Sequence, residues 1–408
     1  MASAAPAVVS PPPGNPRFPL FDGLRAIAVL AVLVTHVSFI VGLNRKGGYA
    51  AVFSNLDAGV TIFFVISGFL LYRPFIAADF AGRTMATARY ARRRFLRIVP
   101  LYWLVLTILA VFPPHVINGV LTENWWHFYF LVQTYSTSPD VRLGGMVQTW
   151  SLDIEVAFYV ALPLYALVAR KFLGGSDPAK RMKRDLIALA AIAAGSVALR
   201  SGLYESGNAV YLYNLGSYAG WFAVGMALAV VSASASAVPR AAAVGAFFGR
   251  RTVLAAAIAI LIYLVLGVFT PADASGYRLQ TLPVDLLYFI ATALMAGLLV
   301  SVAVFAPDGE RRRLPARVLS NRALAWVGMI SYGVFLWHMA LMFMILGRVW
   351  PFVGDQPVGV RLVVVVLLTA ALSVPIAAVT YYLVERPILR FKEPRRATDG
   401  QPQPTASG

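Results

Sequence analysis

The recurrence of apolar stretches long enough to cross a lipid bilayer limits what this chain can fold into more than any other feature. A helix needs about 17–25 apolar residues to span the hydrocarbon layer. Such stretches lie near 20–43, 58–77, 96–113, 152–170, 185–200, 214–232, 252–269, 283–305, 324–347 and 361–384. Of 408 residues, 59% are hydrophobic and 13% are charged, and the mean hydropathy is +0.71. A water-soluble fold of this length cannot bury that much apolar surface. The expected fold class is therefore an all-α integral membrane protein, a bundle of about ten transmembrane helices over residues 20–388. Residues 1–19, rich in Pro and Ala, and residues 389–408 are expected to be disordered cytoplasmic tails, with no signal peptide and no appended soluble domain.

The basic residues sort by loop. Arg17, the seven arginines from Arg73 to Arg97, six Lys/Arg from Arg170 to Arg184, Arg240, Arg250, Arg251 and the clusters Arg311–Arg322 and Arg386–Arg396 share one side. They make 27 of the 35 Lys and Arg; seven lie opposite and Arg25 stands between. Cytoplasmic loops carry such an excess, so both termini are expected in the cytoplasm. The net charge of +17 is thereby a topology signal and argues against a nucleic-acid partner. Cysteine is absent, which excludes disulfides, thiolate metal sites and a cysteine acyl intermediate.

The first span, "FDGLRAIAVLAVLVTHVSF" from Phe21 to Phe39, carries Asp22, Arg25 and His36. Asp or Arg inside the membrane costs about 2.5–3.5 kcal/mol on insertion scales. Arg25 and His36 are 11 residues apart, about 20° past three full turns, so both face one way, and Asp22 shares that face. His36 lies roughly 16 Å further along the axis than Arg25. The polar seam has two readings for Arg25: pairing with Asp22 at the inner headgroups, or a functional path. For His36 a functional role is the default for an intramembrane titratable group.

Other spans add candidates. In "GVTIFFVISGFLLYRPF", Ser67 and Gly68 are small residues suited to close helix packing. "RYARRRFLRIVPLYW" places Arg93, Arg94 and Arg97 at the inner end of the third span, where guanidinium forks match phosphate oxygens. "QTWSLDIEVAFY" opens the fourth span and sets Glu155 at about the depth of His36. A carboxylate there can orient an imidazole, or can be a structural contact, as can Asp153. "ISYGVFLWHM" brings Tyr332, Trp337 and His338, the histidine being a second site group or a helix–helix hydrogen bond. The loop 114–151, with His115, His127, Trp125, Trp126, Phe128, Tyr129 and Tyr135, is expected as an interfacial lid or acceptor platform. No spacing indicates a metal site.

Six segments together, "FDGLRAIAVLAVLVTH", "GVTIFFVISGFLL", "RRRFLRIVPLYW", "WSLDIEVAFYVALPL", "ISYGVFLWH" and "VERP", resemble in order and spacing the bacterial membrane acyltransferase-3 family. The resemblance runs from about Phe21 to Pro387. It implies an acyltransferase domain of ten helices in the bacterial inner membrane. Its substrates would be acyl-CoA, acetyl-CoA above all, as donor and a hydroxyl of an envelope carbohydrate or glycolipid as acceptor. No cofactor would be held permanently. The family's Arg and His pair falls on Arg25 and His36, its arginine motif on Arg94 and Arg97, and its Trp-Ser-Leu motif on Trp150, Ser151 and Glu155. Some members carry a further hydrolase-like domain, for which no counterpart is expected here.

On that reading Arg94, Arg97 and Arg93 meet the phosphates of the donor, and Arg25 lines the path of its pantetheine arm. His36 acts as general base on the acceptor hydroxyl while Glu155 orients the ring, a role typically contributing about 10²–10⁴-fold. A relay through an acyl-histidine uses the same residues. A secondary transporter is the main rival, although the chain has no internal repeat or matched pair of broken helices. A structural or sensory membrane protein would have no need of the aligned Arg25 and His36.

Overall fold

Inside a bilayer each backbone N–H and C=O must find a partner within the protein, and apolar stretches of this length satisfy them as helices. The computed structural model describes residues 18–43, 52–53, 55–112, 117–175, 177–208, 212–270, 281–306 and 313–392. Among these, ten helices are long and apolar enough to cross a membrane. They are α1 (Leu20–Ile40), α2 (Ala58–Phe80), α3 (Thr87–Val111), α4 (Trp150–Leu173) and α5 (Pro178–Glu205). There follow α6 (Leu215–Ser234), α7 (Thr252–Phe269), α8 (Leu282–Phe305), α9 (Ser331–Val353) and α10 (Val358–Thr380). The protein is an all-α, multi-pass membrane protein. The expected tails lie for the most part outside the described residues, as do His115 and the basic residues at 45, 46, 278, 311 and 312.

The elements differ from the expectation in several places; α5, for one, runs from Pro178 to Glu205 where 185–200 was expected. α3 begins at Thr87, nine residues before the apolar stretch, because its arginine-rich start is as good a helix former as the apolar part. The stretch expected as one helix over 324–347 is two, Arg322–Met329 and α9, separated at Ile330. A Cβ at Gly328 would stand 1.7 Å from the backbone oxygen of Asp22, so the short helix runs backbone to backbone against α1, and α9 begins after Ile330. Pro239–Arg250 forms a further helix between α6 and α7.

The core is α2 held against α6, α1 and α8. A Cβ at Gly68 would fall 2.2 Å from the Phe222 carbonyl oxygen and one at Gly225 2.0 Å from that of Val65. Only glycine permits this approach, the small-residue contact typical of membrane helices. Stacked rings of Phe64, Phe222 and Phe158 fill the adjoining space. By contrast Leu254, Ile260, Leu261 and Val268 of α7 are more than half exposed, as suits side chains that face lipid. The loop before α4 packs down on α3. Phe128 is buried, its carbonyl accepts from the Tyr102 hydroxyl at 2.7 Å, and that of Tyr129 accepts from Trp103 Nε1 at 2.8 Å. Trp125, Trp126 and Tyr135 stay about half exposed.

Candidate active site

α1, α2, α3, α4 and α9 surround a cavity with about 880 Å³ of empty space, open solvent at its mouth included. One end is basic: Arg25, Arg94 and Arg97 line it. Further along come Ser67, Ser151, Glu155, Tyr159 and Tyr332, then the apolar Val32, Val60, Phe64 and Phe335. The structure therefore brings five separate sequence segments to one chamber. Asp22, Arg93, Trp150, His36 and His338 stand outside this lining.

At the basic end, Arg25 Nη1 donates to Asp22 Oδ1 at 3.0 Å, so the expected pair forms and Arg25 still faces the cavity. Arg97 is ion-paired with Glu385, whose carboxylate is buried in the π-helical turn Tyr381–Glu385 that follows α10. Arg94 is different. Its Nε is buried with no hydrogen-bond partner among the described residues, leaving a guanidinium edge for an incoming anion. Arg93, one helical step round, is half-buried and engaged elsewhere.

Midway, the Ser67 hydroxyl donates to Glu155 Oε1. Ser67 is thus a site hydroxyl, and its neighbour Gly68 makes the close packing. The described contacts of Glu155 do not include His36. The expected carboxylate–imidazole pair is replaced by a pair of imidazoles: His338 Nε2 and His36 Nδ1 are 3.0 Å apart. Asp57, just before α2, is the carboxylate within electrostatic reach of His36. The physical reason is lateral. Glu155 and His36 share a depth but face different neighbours, and depth is all that spacing along separate helices conveys.

The imidazole pair has a defined polarity. His338 Nδ1 lies 2.7 Å from the Phe335 carbonyl oxygen and 3.2 Å from that of Val334. Carbonyls only accept, so Nδ1 carries the hydrogen of neutral His338 and Nε2 presents a lone pair. That lone pair takes the Nδ1 hydrogen of His36, leaving His36 Nε2 as an unprotonated nitrogen. Val32 and Phe335, which line the cavity, lie one helical turn before His36 and His338 respectively. The chemistry on offer is a basic, oriented nitrogen close to a chamber whose far end binds anions.

The remaining candidates are positioned in simpler ways. Tyr332 donates to the Ile98 carbonyl at 2.8 Å, tying α9 to α3. Ser151 donates to the Gln148 carbonyl at 3.3 Å. Trp150 packs edge-on against Tyr213 and beside Tyr218. Buried Asp153 accepts from the Thr134 amide at 3.1 Å, a structural tie to the preceding loop. Sequence reasoning passed over Glu385, for which its place in "VERP" beside a membrane helix was the available signal. It also passed over Asp57, an isolated acid with no pattern around it.

Comparison with known proteins bears on the same segments. Residues 19–382 match the acyltransferase-3 family model, described as an acyltransferase domain. Peptidoglycan O-acetyltransferase OatA of Listeria monocytogenes is 27% identical over 345 residues, covering 78% of this chain and 48% of that protein. Acyltransferase MdmB of Streptomyces mycarofaciens is 29% identical over 168 residues, covering 39% of this chain and 42% of MdmB. O-acetyltransferase OatA of Staphylococcus aureus (strain NCTC 8325 / PS 47) is 29% identical over 164 residues, 37% of this chain and 25% of that protein. The chain spans less than half the length of each of these relatives. No solved structure matches. The matched residues take in every helix that contributes to the cavity, and the chain belongs to the acyltransferase-3 family.

Proposed function

We propose that this protein is a membrane O-acetyltransferase that moves an acetyl group from acetyl-CoA to a hydroxyl of a cell-wall carbohydrate of the peptidoglycan type. The observation that carries the reading is the hydrogen-bond chain from the Phe335 carbonyl through His338 to His36, which leaves His36 Nε2 free to take a proton. The names of the relatives support O-acetyl transfer and favour a peptidoglycan acceptor over a glycolipid.

Acetyl-CoA enters at the basic end with its phosphates on Arg94, supported by Arg25 and Arg97, and its thioester reaches up the cavity. As the acceptor oxygen bonds to the acetyl carbon, its proton passes to His36 Nε2 and the C–S bond breaks. The departing thiolate then takes that proton, so free CoA and an O-acetyl ester are the products. Imidazolium formed in between is delocalised onto His338 and stabilised by Asp57. Direct transfer and an acyl-histidine relay both employ the same nitrogen. Ser67 and Glu155 line the route of the thioester. By the charge distribution, residues 20–388 form the acyltransferase domain in the inner membrane, with both termini and the basic end of the cavity cytoplasmic.

The test uses membranes carrying wild type or His36→Ala, labelled acetyl-CoA and cell-envelope fractions. Label on a wall carbohydrate that disappears with His36→Ala is the expected result. Equal labelling by the variant would sink the mechanism, and gradient-driven substrate movement without any transfer would put the transporter reading first.

A further inference from the structure

A second cavity, with about 700 Å³ of empty space, adjoins the first at the opposite end from the arginines. Six aromatic side chains line it, Trp150, Tyr213, Tyr218 and Trp221 among them. These four form a continuous surface: ring centroids are 4.9 Å apart for Trp150 and Tyr213, and 4.8 Å for Tyr218 and Trp221. Trp221 is fixed by its Nε1 hydrogen bond to the Phe289 carbonyl at 2.9 Å and by stacking on Phe289.

Polar groups are set among these rings. Arg200 is 5% exposed, and its Nε and Nη2 donate to both oxygens of Asp285 at 2.9 and 2.6 Å. The guanidinium lies over the rings of Tyr218 and Phe289, with 5.1 and 4.7 Å to their centroids, and its third nitrogen, Nη1, is buried with no hydrogen-bond partner among the described residues. Asp57 also lines the cavity and accepts from the Tyr288 hydroxyl at 2.7 Å. A buried guanidinium left with an unpaired N–H is costly inside a membrane protein unless something completes it.

We infer that this cavity is the acceptor subsite and that it holds an uncharged pyranose ring of the carbohydrate. This rests on the acyltransferase reading and extends it to the residues that recognise the acceptor. Charge excludes an anionic group: Asp285 neutralises Arg200, and Asp57 adds a further carboxylate. Carboxylates accept from hydroxyls, while Arg200 Nη1 donates to a ring or hydroxyl oxygen. The C–H face of a pyranose carries slight positive charge and meets the negative faces of aromatic rings. Location agrees with this chemistry. Val60 lines both cavities, and Phe64 of the first contacts Tyr218 and Trp221 of the second. Asp57, which lines this cavity, is also within electrostatic reach of His36, which puts the cavity on the His36 side of the chamber.

Purified full-length protein in nanodiscs is titrated by calorimetry with chitotetraose, an uncharged N-acetylhexosamine oligomer, and separately with acetyl-CoA. Tyr213→Ala trims a side chain that is 43% exposed, and Asp57→Asn keeps the shape and the bond to Tyr288, so neither opens the core. Each is expected to weaken chitotetraose at least about tenfold and to leave acetyl-CoA affinity as in wild type. Unchanged chitotetraose affinity in both variants overturns the assignment. So does a wild type that binds a phosphate-bearing glycan and not chitotetraose. Failure of the acyltransferase reading looks different: sugar binding still falls with the two variants, but wild type neither binds acetyl-CoA nor transfers from it.

Discussion

His338 does its work without lining the chamber. Its Nδ1 hydrogen is committed to the Phe335 carbonyl, so its Nε2 can only accept, and His36 has no choice of tautomer. Replacing it by Phe keeps the bulk and removes the acceptor, which frees His36 to move its hydrogen to Nε2. The expected outcome is a fall in kcat of about 10²-fold with the KM values for donor and acceptor unchanged, since His338 stands outside the cavity lining. His338→Asn, which can still offer an acceptor oxygen, should recover part of the rate. A KM that rises with kcat held constant would show a binding role instead. This pairing was half legible in the sequence. Both histidines could be recognised as intramembrane titratable groups at similar depth, but which of His338 and Glu155 faces His36 depends on how α1, α4 and α9 rotate against one another. Spacing along one helix gives its own faces and leaves the neighbour undetermined.

Among the elements, α3 and the turn after α10 are joined by Arg97 and Glu385. The "RRRFLRIVPLYW" and "VERP" segments are nearly 300 residues apart in the chain, and their meeting explains why an acid stands at the end of the last helix. Glu385 is 1% exposed in its side chain and Arg97 24%, so losing one partner strands a buried charge. Arg97→Gln is expected to lower stability by about 3 kcal/mol, and adding Glu385→Gln should restore most of it, as read by thermal unfolding in detergent. Arg94→Gln should behave oppositely, sparing stability while raising the KM for acetyl-CoA about tenfold. From sequence Arg94 and Arg97, with Arg93 beside them, were all candidates to meet phosphates; tertiary pairing is what separates the ion-paired Arg97 from Arg94, whose Nε has no hydrogen-bond partner among the described residues. The break at Ile330 was hidden for a similar reason. The stretch from 324 to 347 carries no proline and no Lys, Arg, Asp or Glu, and the close approach of Gly328 to Asp22 that divides it is visible only in the folded chain.

For the whole molecule, the hydropathy pattern was enough to place ten helices, because helix formation in a bilayer is imposed by backbone satisfaction rather than by particular side chains. Orientation rests on charge, and the absence of cysteine makes it directly testable. A single cysteine at Arg89, which is exposed at the start of α3, should react with an impermeant maleimide only after cells are opened. One at Trp125 should react in intact cells. The reverse pattern would invert the topology and with it the assignment of donor and acceptor ends. Val60 lines both cavities, and Phe64 of the first contacts Tyr218 and Trp221 of the second. Recesses that admit water from opposite faces of a membrane concentrate its voltage between them, where moving one charge is worth about 2.3 kcal/mol per 100 mV. On the proposed mechanism His36 takes a proton from the acceptor and gives it to the departing thiolate, and whatever part of the membrane potential falls along that path acts on the step. The expected outcome is a transfer rate in proteoliposomes that changes with an imposed membrane potential, and a rate that does not change would place both proton steps at one depth.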